Sequence, residues 1–280
     1  MLKEIERLAN RESRAPGDYT ENGLLMCGKC RTPKQKAQLF PGKDGTKNER
    51  LVPISCRCEA ESLERERDEK EMQDFRARMH GLQERFHISD EAYRRFNFQM
   101  DDRQNAKVSN ICRGYVDRWP EMKQNRMGIL LFGSVGTGKS FYACAIVNAL
   151  LDQKVSATVT NFPRLLNILQ GVRDKQECID HLQNYQLLVI DDLGTERDSA
   201  YGAEQIFNVL DTRERSELPL IVTTNMSLEE MENPADMRLA RIYDRVLRLC
   251  NIKLVMTGES RRVGDAKRRA ELARELLKGY

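Results

Sequence analysis

The sequence predicts an α/β domain of three layers on a five-stranded parallel sheet, preceded by a small cysteine-bearing module and a helical connector. Three observations predict it. Over residues 96–280, short β-branched and aliphatic runs alternate with segments of helical period, the pattern of a parallel sheet covered on both faces. One of those runs passes directly into a glycine-rich loop and then an apolar helix. Ahead of residue 96 the alternation is missing, and four cysteines stand in two close pairs.

Residues 1–58 are punctuated by Gly and Pro and hold the paired cysteines. Residues 59–95 form the connector. Its run from Glu64 to Glu71 mixes both charge signs, with sparse apolar positions at Leu63, Met72, Phe75 and Met79. That composition suits an exposed helix laced with i,i+4 ion pairs, and Gly81 is expected to interrupt it. In the main domain, residues 103–118 read as a helix that stops before Trp119-Pro120. Strands are expected at 127–132, 155–160, 187–190, Leu220–Thr224 and Ile252–Met256, where aliphatic and β-branched residues concentrate. Helices are expected between and after them at 139–151, 163–170, Ala200–Arg215, Met237–Leu249 and 266–277.

Composition excludes several classes. No run approaches the ~20 apolar residues of a membrane span, and Met1–Asn10 lacks the apolar core of a signal peptide, so a cytoplasmic location is expected. Forty-six Lys+Arg against 43 Asp+Glu leave a net charge of +3, so any nucleic-acid surface must be local. Cys112, Cys144, Cys178 and Cys250 lie scattered in apolar contexts and are expected to be buried as small hydrophobes.

Gly133-Ser134-Val135-Gly136-Thr137-Gly138-Lys139-Ser140 satisfies G-x-x-x-x-G-K-[ST] between a strand and a helix. Glycines let backbone amides converge on phosphate oxygens, and the helix N-terminus adds partial positive charge. Lys139 is expected to reach the β/γ-phosphates and Ser140 to ligate Mg²⁺; Phe141 completes the stretch assigned to ATP or ADP. Leu187-Leu188-Val189-Ile190 delivers Asp191 and Asp192 to a strand end, Asp191 as the Mg²⁺ partner and Asp192 as the residue that orients or deprotonates the attacking water. The strand Leu220–Thr224 ends in Asn225, placed to sense the γ-phosphate or the lytic water.

Arg241 and Arg245 lie four apart on a helix and therefore on one face. Arg245, with Arg241 second, is the expected finger that neutralises γ-phosphoryl charge in a neighbouring subunit. Arg262, with Arg261 in reserve, follows the fifth strand and is expected to contact phosphate in the same chain. Arg213 is expected to face solvent or a subunit boundary.

Cys27-Gly28-Lys29-Cys30 and Cys56-Arg57-Cys58 bracket residues 31–55. Two thiolate pairs across a loop can close a tetrahedral Cys₄ zinc site, the expectation here over a redox pair or unligated thiols, and four sulfur ligands leave no open position, so the site would be structural. A segment this small lacks a sufficient core, so the metal supplies folding energy. His80 and His87 fall outside the cluster.

Together these motifs resemble the helicase-loader branch of the AAA+ ATPases, the DnaC/DnaI type and its phage-encoded relatives. The resemblance runs through Phe96-Asn97-Phe98, the phosphate loop, Leu188–Asp192, Thr223-Thr224-Asn225, Arg241–Arg245 and Gly258–Arg262, and the short tail fits a reduced lid. It implies an ATPase that self-associates through this domain, engages single-stranded DNA and deposits a hexameric DnaB-type replicative helicase, which the cysteine module contacts. Many members of the family carry the longer Glu where Asp192 stands. Lys267-Arg268-Arg269, behind Arg261 and Arg262, is either a phosphate-contacting patch or a solvated helix face. Two other readings stand: a transposition helper of the IstB type, which shares the core but usually begins with a helical domain, and an ATP-switched adaptor with negligible hydrolysis.

Overall fold

The computed structural model describes residues 15–41, 47–86, 91–194, 200–234, 236–258 and 260–278, with side chains at all of these except 84–86, 91, 92 and 262–267. His87 lies outside the described residues. The chain divides into two compact units, Met1–Arg76 and Ala77–Tyr280.

In the first unit β1 (Tyr19–Glu21) and β2 (Leu24–Met26) pair antiparallel, Glu21 opposite Leu24. The two residues between them, Asn22 and Gly23, both take positive φ, 49° and 78°, the requirement of the tight Asn-Gly hairpin turn whose twist matches the strands. β3 (Gln35–Pro41) and β4 (Lys47–Pro53) form a second antiparallel pair, and a bridge between Met26 and Pro33 ties the two hairpins together. Helix α1 (Arg57–Phe86) begins inside the second cysteine pair. It runs unbroken through Gly81, contrary to the expectation. A single glycine costs roughly 1 kcal/mol in a helix, too little to break one of 30 residues.

The second unit is the three-layer domain. Its elements are α2 (Ala106–Asp117), α3 (Trp119–Gln124), β5 (Ile129–Gly133), α4 (Lys139–Asp152), β6 (Ala157–Asn161), α5 (Phe162–Gly171) and α6 (Lys175–His181). They continue with β7 (Leu187–Leu193), α7 (Ala200–Arg215), β8 (Leu220–Thr224), α8 (Leu228–Glu232), α9 (Met237–Leu249), β9 (Ile252–Met256) and α10 (Arg261–Leu276). Polar residues written into the sequence start several of these helices. The side chains of Asn105, Asn161, Asp174 and Asp236 each accept a backbone N–H of the first turn, and Ser227 with Glu230 closes a capping box on α8. Helix stops follow the same logic: α2 ends at Asp117, and Pro120 sits in the first turn of α3, where its missing N–H costs nothing.

The sheet order is β6-β7-β8-β5-β9, and every pairing is parallel. Parallel strands covered on both faces must be apolar throughout. Ile129–Leu131, Leu187–Ile190 and Leu220–Val222 have no exposed surface. α4 is buried from Tyr142 to Ile146 and packs over β5, β6, β7 and β8 in the same core as α2. Cys112, Cys144, Cys178 and Cys250 are all fully buried, as expected of them. No helix among the described residues is long and apolar enough to cross a membrane.

Candidate functional site

Because all five strands run the same way, their C-terminal ends share one edge, where ligands of open α/β sheets bind. Gly133 ends β5, Asp191 lies two residues before the end of β7, and Asn225 directly follows β8. Gly133, Gly136 and Gly138 have φ of 124°, 80° and 100°, conformations that L side chains rarely adopt. Gly133 has a second reason: a Cβ there would lie 2.3 Å from the Met256 carbonyl oxygen on β9. Thr137 Oγ1 donates to the Ser134 carbonyl at 2.8 Å and holds the loop's curl. Lys139 is 7% exposed, and its Nζ donates to the Gly133 and Ser134 carbonyls, each at 2.7 Å. The ammonium thus lies within the loop, ahead of a 14-residue helix whose free N–H groups open toward it. Ser140 and Phe141 follow on the first turn of α4, and Val135 is exposed at the loop's tip.

β7 does not end at Ile190, as expected, but continues to Leu193 through a register shift against β8. At the bulge Asp192 takes φ +62°, a left-handed conformation that Asp tolerates better than most side chains. Thr223 holds this geometry. Its Oγ1 accepts the Asp192 N–H at 2.8 Å and donates to Asp191 Oδ1 at 2.6 Å. Asn225 Nδ2 donates to Asp192 Oδ1 at 3.0 Å. Asp191, Asp192 and Asn225 are therefore one hydrogen-bonded group, linked through a threonine that the sequence reading left inside a strand. Its signal was present: two hydroxyls, Thr223 and Thr224, close an aliphatic run just before Asn225. Tyr93 was also missed, and no motif marks it. Its hydroxyl lies 3.4 Å from Asp191 Oδ2. Asn148 on α4 fixes its backbone by donating to the carbonyls of Phe96 at 2.6 Å and Tyr93 at 3.0 Å.

The arginines divide. Arg245, the expected finger, is paired with Asp211 and, at 3.1 Å, with Glu214 of its own chain, and it lies 4.4 Å over the Phe207 ring. With 13% of its side chain exposed it joins α9 to α7. Arg241, one turn earlier on α9, is exposed. Arg213 is corrected. It has no exposed surface, and its guanidinium donates to the carbonyls of Tyr185 (2.8 Å), Gln186 (2.9 Å) and Pro219 (2.6 Å). Burial draws it down to about 9. Backbone carbonyls left unpaired between elements supply the partners that neither solvent nor a subunit provides. The Arg262 side chain lies outside the described residues, as does that of Lys267. Arg261 is described, and its guanidinium stands against the phosphate loop, within 3.4–3.5 Å of where a Gly138 Cβ would be.

In the first unit the sulfurs of Cys27, Cys30, Cys56 and Cys58 all lie within 4.8 Å of one another. Cys58 Sγ stands 3.5 Å from Cys56 Sγ and 3.7 Å from Cys27 Sγ. Zinc–sulfur bonds of ~2.3 Å in a tetrahedron set sulfurs about 3.8 Å apart, so this donor set fits zinc. The thiols also differ in acidity. Cys30 is drawn down to about 5, chiefly by the Thr32 hydroxyl 3.0 Å away, and Cys58 is pushed up to about 12, chiefly by the Cys56 thiol. His80 contributes no ligand to this group. Asp18 braces the first knuckle, accepting from the Gly28 amide at 3.1 Å and pairing with Lys34 at 2.6 Å.

Several known proteins are similar to this chain. The replicative helicase loader DnaC of Escherichia coli (strain K12) is 29% identical over 140 residues, 48% of this chain and 56% of that protein. DnaI of Bacillus subtilis (strain 168), also a replicative helicase loader, is 26% identical over 148 residues, 48% of this chain and 47% of that protein. The chain thus spans about half the length of the curated relatives it matches. Among solved structures, DnaI superposes with a TM-score of 0.53 at 24% identity, over 61% of this chain and 93% of that one, a likeness of fold. A putative primosome component from Streptococcus pyogenes serotype M3 gives 0.51 at 28% identity, over 61% and 91%. A family profile described as IstB-like ATP binding protein matches residues 58–270, from the last cysteine of the cluster to beyond the start of α10. With that match covering most of its length, the chain belongs to the IstB-like ATP-binding protein family.

Proposed function

We propose that this chain is an ATP-dependent loader that deposits a hexameric, DnaB-type replicative helicase on single-stranded DNA. One observation carries the reading. A phosphate loop and a hydrogen-bonded Asp191–Thr223–Asp192–Asn225 group share one sheet edge, in a chain whose curated relatives are named replicative helicase loaders.

The amides of residues 133–140 and the Lys139 ammonium hold the triphosphate. Ser140 and Asp191 hold Mg²⁺, which when bound neutralises charge shared by the β- and γ-phosphates. Asp192 orients the attacking water, and Asn225, bonded to it, reads whether the γ-phosphate is present. Arg241 is the side chain on α9 offered to a neighbouring subunit's γ-phosphate. Cys27, Cys30, Cys56 and Cys58 hold zinc, which supplies folding energy to the two hairpins, and that module contacts the helicase. The exposed Arg268 and Arg269 on α10 give single-stranded DNA a phosphate-contacting face.

The test is co-purification with the host replicative helicase, with metal analysis and ATP turnover with and without single-stranded DNA. The expected result is one zinc per chain, helicase retention, and turnover that DNA stimulates. Cys27→Ser/Cys30→Ser should lose zinc and the helicase yet keep ATP binding, while Lys139→Ala should lose ATP. A wild-type chain that binds ATP but retains no helicase overturns the loader reading. Since the family description names IstB, retention of a transposase in the same assay would support a transposition helper. ATP binding without turnover would support an adaptor.

A further inference from the structure

Arg261 opens α10, and its environment defines a role for a residue no motif touches. Its backbone N–H donates to the Gly136 carbonyl at 2.9 Å, so α10 starts on the phosphate loop itself. Gly136 is shaped for that approach: a Cβ there would lie 2.0 Å from Ser260 Oγ. The guanidinium then extends along the loop to Gly138, beside the rings of Phe141 and Tyr142, 5.9 and 6.0 Å from its carbon. Its carbon is the atom nearest Gly138, 3.4 Å from where that Cβ would be, with Nε and Nη1 both at 3.5 Å, so the flat face of the guanidinium lies against the loop. Nη2 pairs with Asp102 Oδ1 at 3.0 Å.

Asp102 is itself held. Its Oδ1 accepts the Gln104 N–H at 3.1 Å, and its neighbour Asp101 anchors the segment by accepting from Tyr142 Oη at 3.0 Å and Ser109 Oγ at 2.5 Å. Tyr142 lies on α4, so the helix that presents the phosphate site also sets the position of the carboxylate. One corner of the rigid guanidinium fork is thereby fixed, with its face held beside the start of α4. A planar fork oriented before binding loses less freedom when it meets phosphate oxygens.

We propose that Asp102 is a positioning residue for nucleotide binding, holding the Arg261 guanidinium against the phosphate loop, where it meets the phosphates of the bound nucleotide. The proposal rests on the nucleotide reading of the loop and adds to it the residue that orients the phosphate-facing arginine.

The test is titration calorimetry of the full chain with ATP and with AMP in magnesium buffer. Wild type is compared with Asp102→Asn, Arg261→Ala, the double variant and Lys139→Ala. Asn keeps the acceptor that Gln104 needs, so the turn survives, and removes the charge. A partly exposed charge pair contributes up to a factor of about five in binding. Asp102→Asn should weaken ATP by roughly that factor and leave AMP unmoved. In the Arg261→Ala background it should add nothing, because its effect passes through the guanidinium. Three results overturn the proposal: ATP binding unchanged in Asp102→Asn, equal weakening of AMP, or a full Asp102 effect without Arg261. Wild-type ATP binding that Lys139→Ala abolishes and Asp102→Asn leaves intact removes this proposal and spares the phosphate loop. Absence of wild-type ATP binding removes both.

Discussion

Thr223 offers a direct test of how the acidic pair is built. Thr223→Val replaces a side chain of nearly equal shape, 1% exposed, and removes only its hydroxyl. Two bonds go with it. The first, 2.6 Å to Asp191 Oδ1, ends on a carboxylate, and such bonds contribute about 1.5–3 kcal/mol. The second, 2.8 Å from the Asp192 N–H, fixes the left-handed residue at the bulge, and an unsatisfied buried amide costs about 1–3 kcal/mol. Asp192 is half-buried, so water recovers part of the second loss. The expected destabilisation is therefore about 3 kcal/mol. For a unit of this size each kcal/mol moves the melting temperature by about 2–4 °C, giving a drop of roughly 6–12 °C. Thermal unfolding followed by circular dichroism measures it. Thr223→Ser retains both bonds and should lose no more than the transfer free energy of one buried methyl, about 1 kcal/mol. If Thr223→Val melts within a degree or so of wild type, or Thr223→Ser falls as far, the hydroxyl does not organise the acidic pair.

Three further outcomes are expected. Arg213→Leu leaves the carbonyls of Tyr185, Gln186 and Pro219 without their buried donor and should cost about 3 kcal/mol or more, read by urea unfolding; a loss below about 1 kcal/mol contradicts the assigned bonds. Arg241→Ala should lower ATP turnover and leave the melting temperature in place, whereas Arg245→Ala should lower the melting temperature by breaking its contacts to Asp211, Glu214 and Phe207; the reverse pattern would restore Arg245 as the finger. Burial raises the Asp101 carboxyl, but the Ser109 hydroxyl, the Arg103 amide and the Tyr142 hydroxyl outweigh it, so its value lies below the ordinary 3.8. Its folded form binds a proton less readily than its unfolded form, so its stabilisation is present above the unfolded value and lost as pH falls through the folded one. Unfolding free energies of wild type and Asp101→Asn should therefore differ by a constant amount above about pH 5 and converge as pH falls below it; a gap that stays constant down to about pH 2 refutes the assignment.

Much of the main domain was legible because the signals that specify it are local. Leu220–Thr224, Met237–Leu249 and Ile252–Met256 follow from aliphatic runs and helical period, and the phosphate loop from the residue types that its backbone angles demand. Missed elements lacked such signals. α6 and α8 are short, and their polar caps resemble turns. β7 outruns its aliphatic stretch because Asp191 and Asp192 carry it on to Leu193, received by a bulge and by the Thr223 hydroxyl across the sheet.

The sequence by itself determined which residues line the sheet edge and which sulfurs gather in the first module. Glycine angles, strand period and paired-thiol spacing act within a few positions of chain. Only the tertiary structure decided how the charged side chains are used. Arg213, Arg245 and Arg261 look alike in one dimension, each a cation on a helix. Their roles separate because one meets carbonyls inside the core, one meets acids on a neighbouring helix, and one meets Asp102 beside the phosphate loop. A long charged side chain takes its role from whatever partner lies within a few ångströms, and chains far apart in sequence supply that partner.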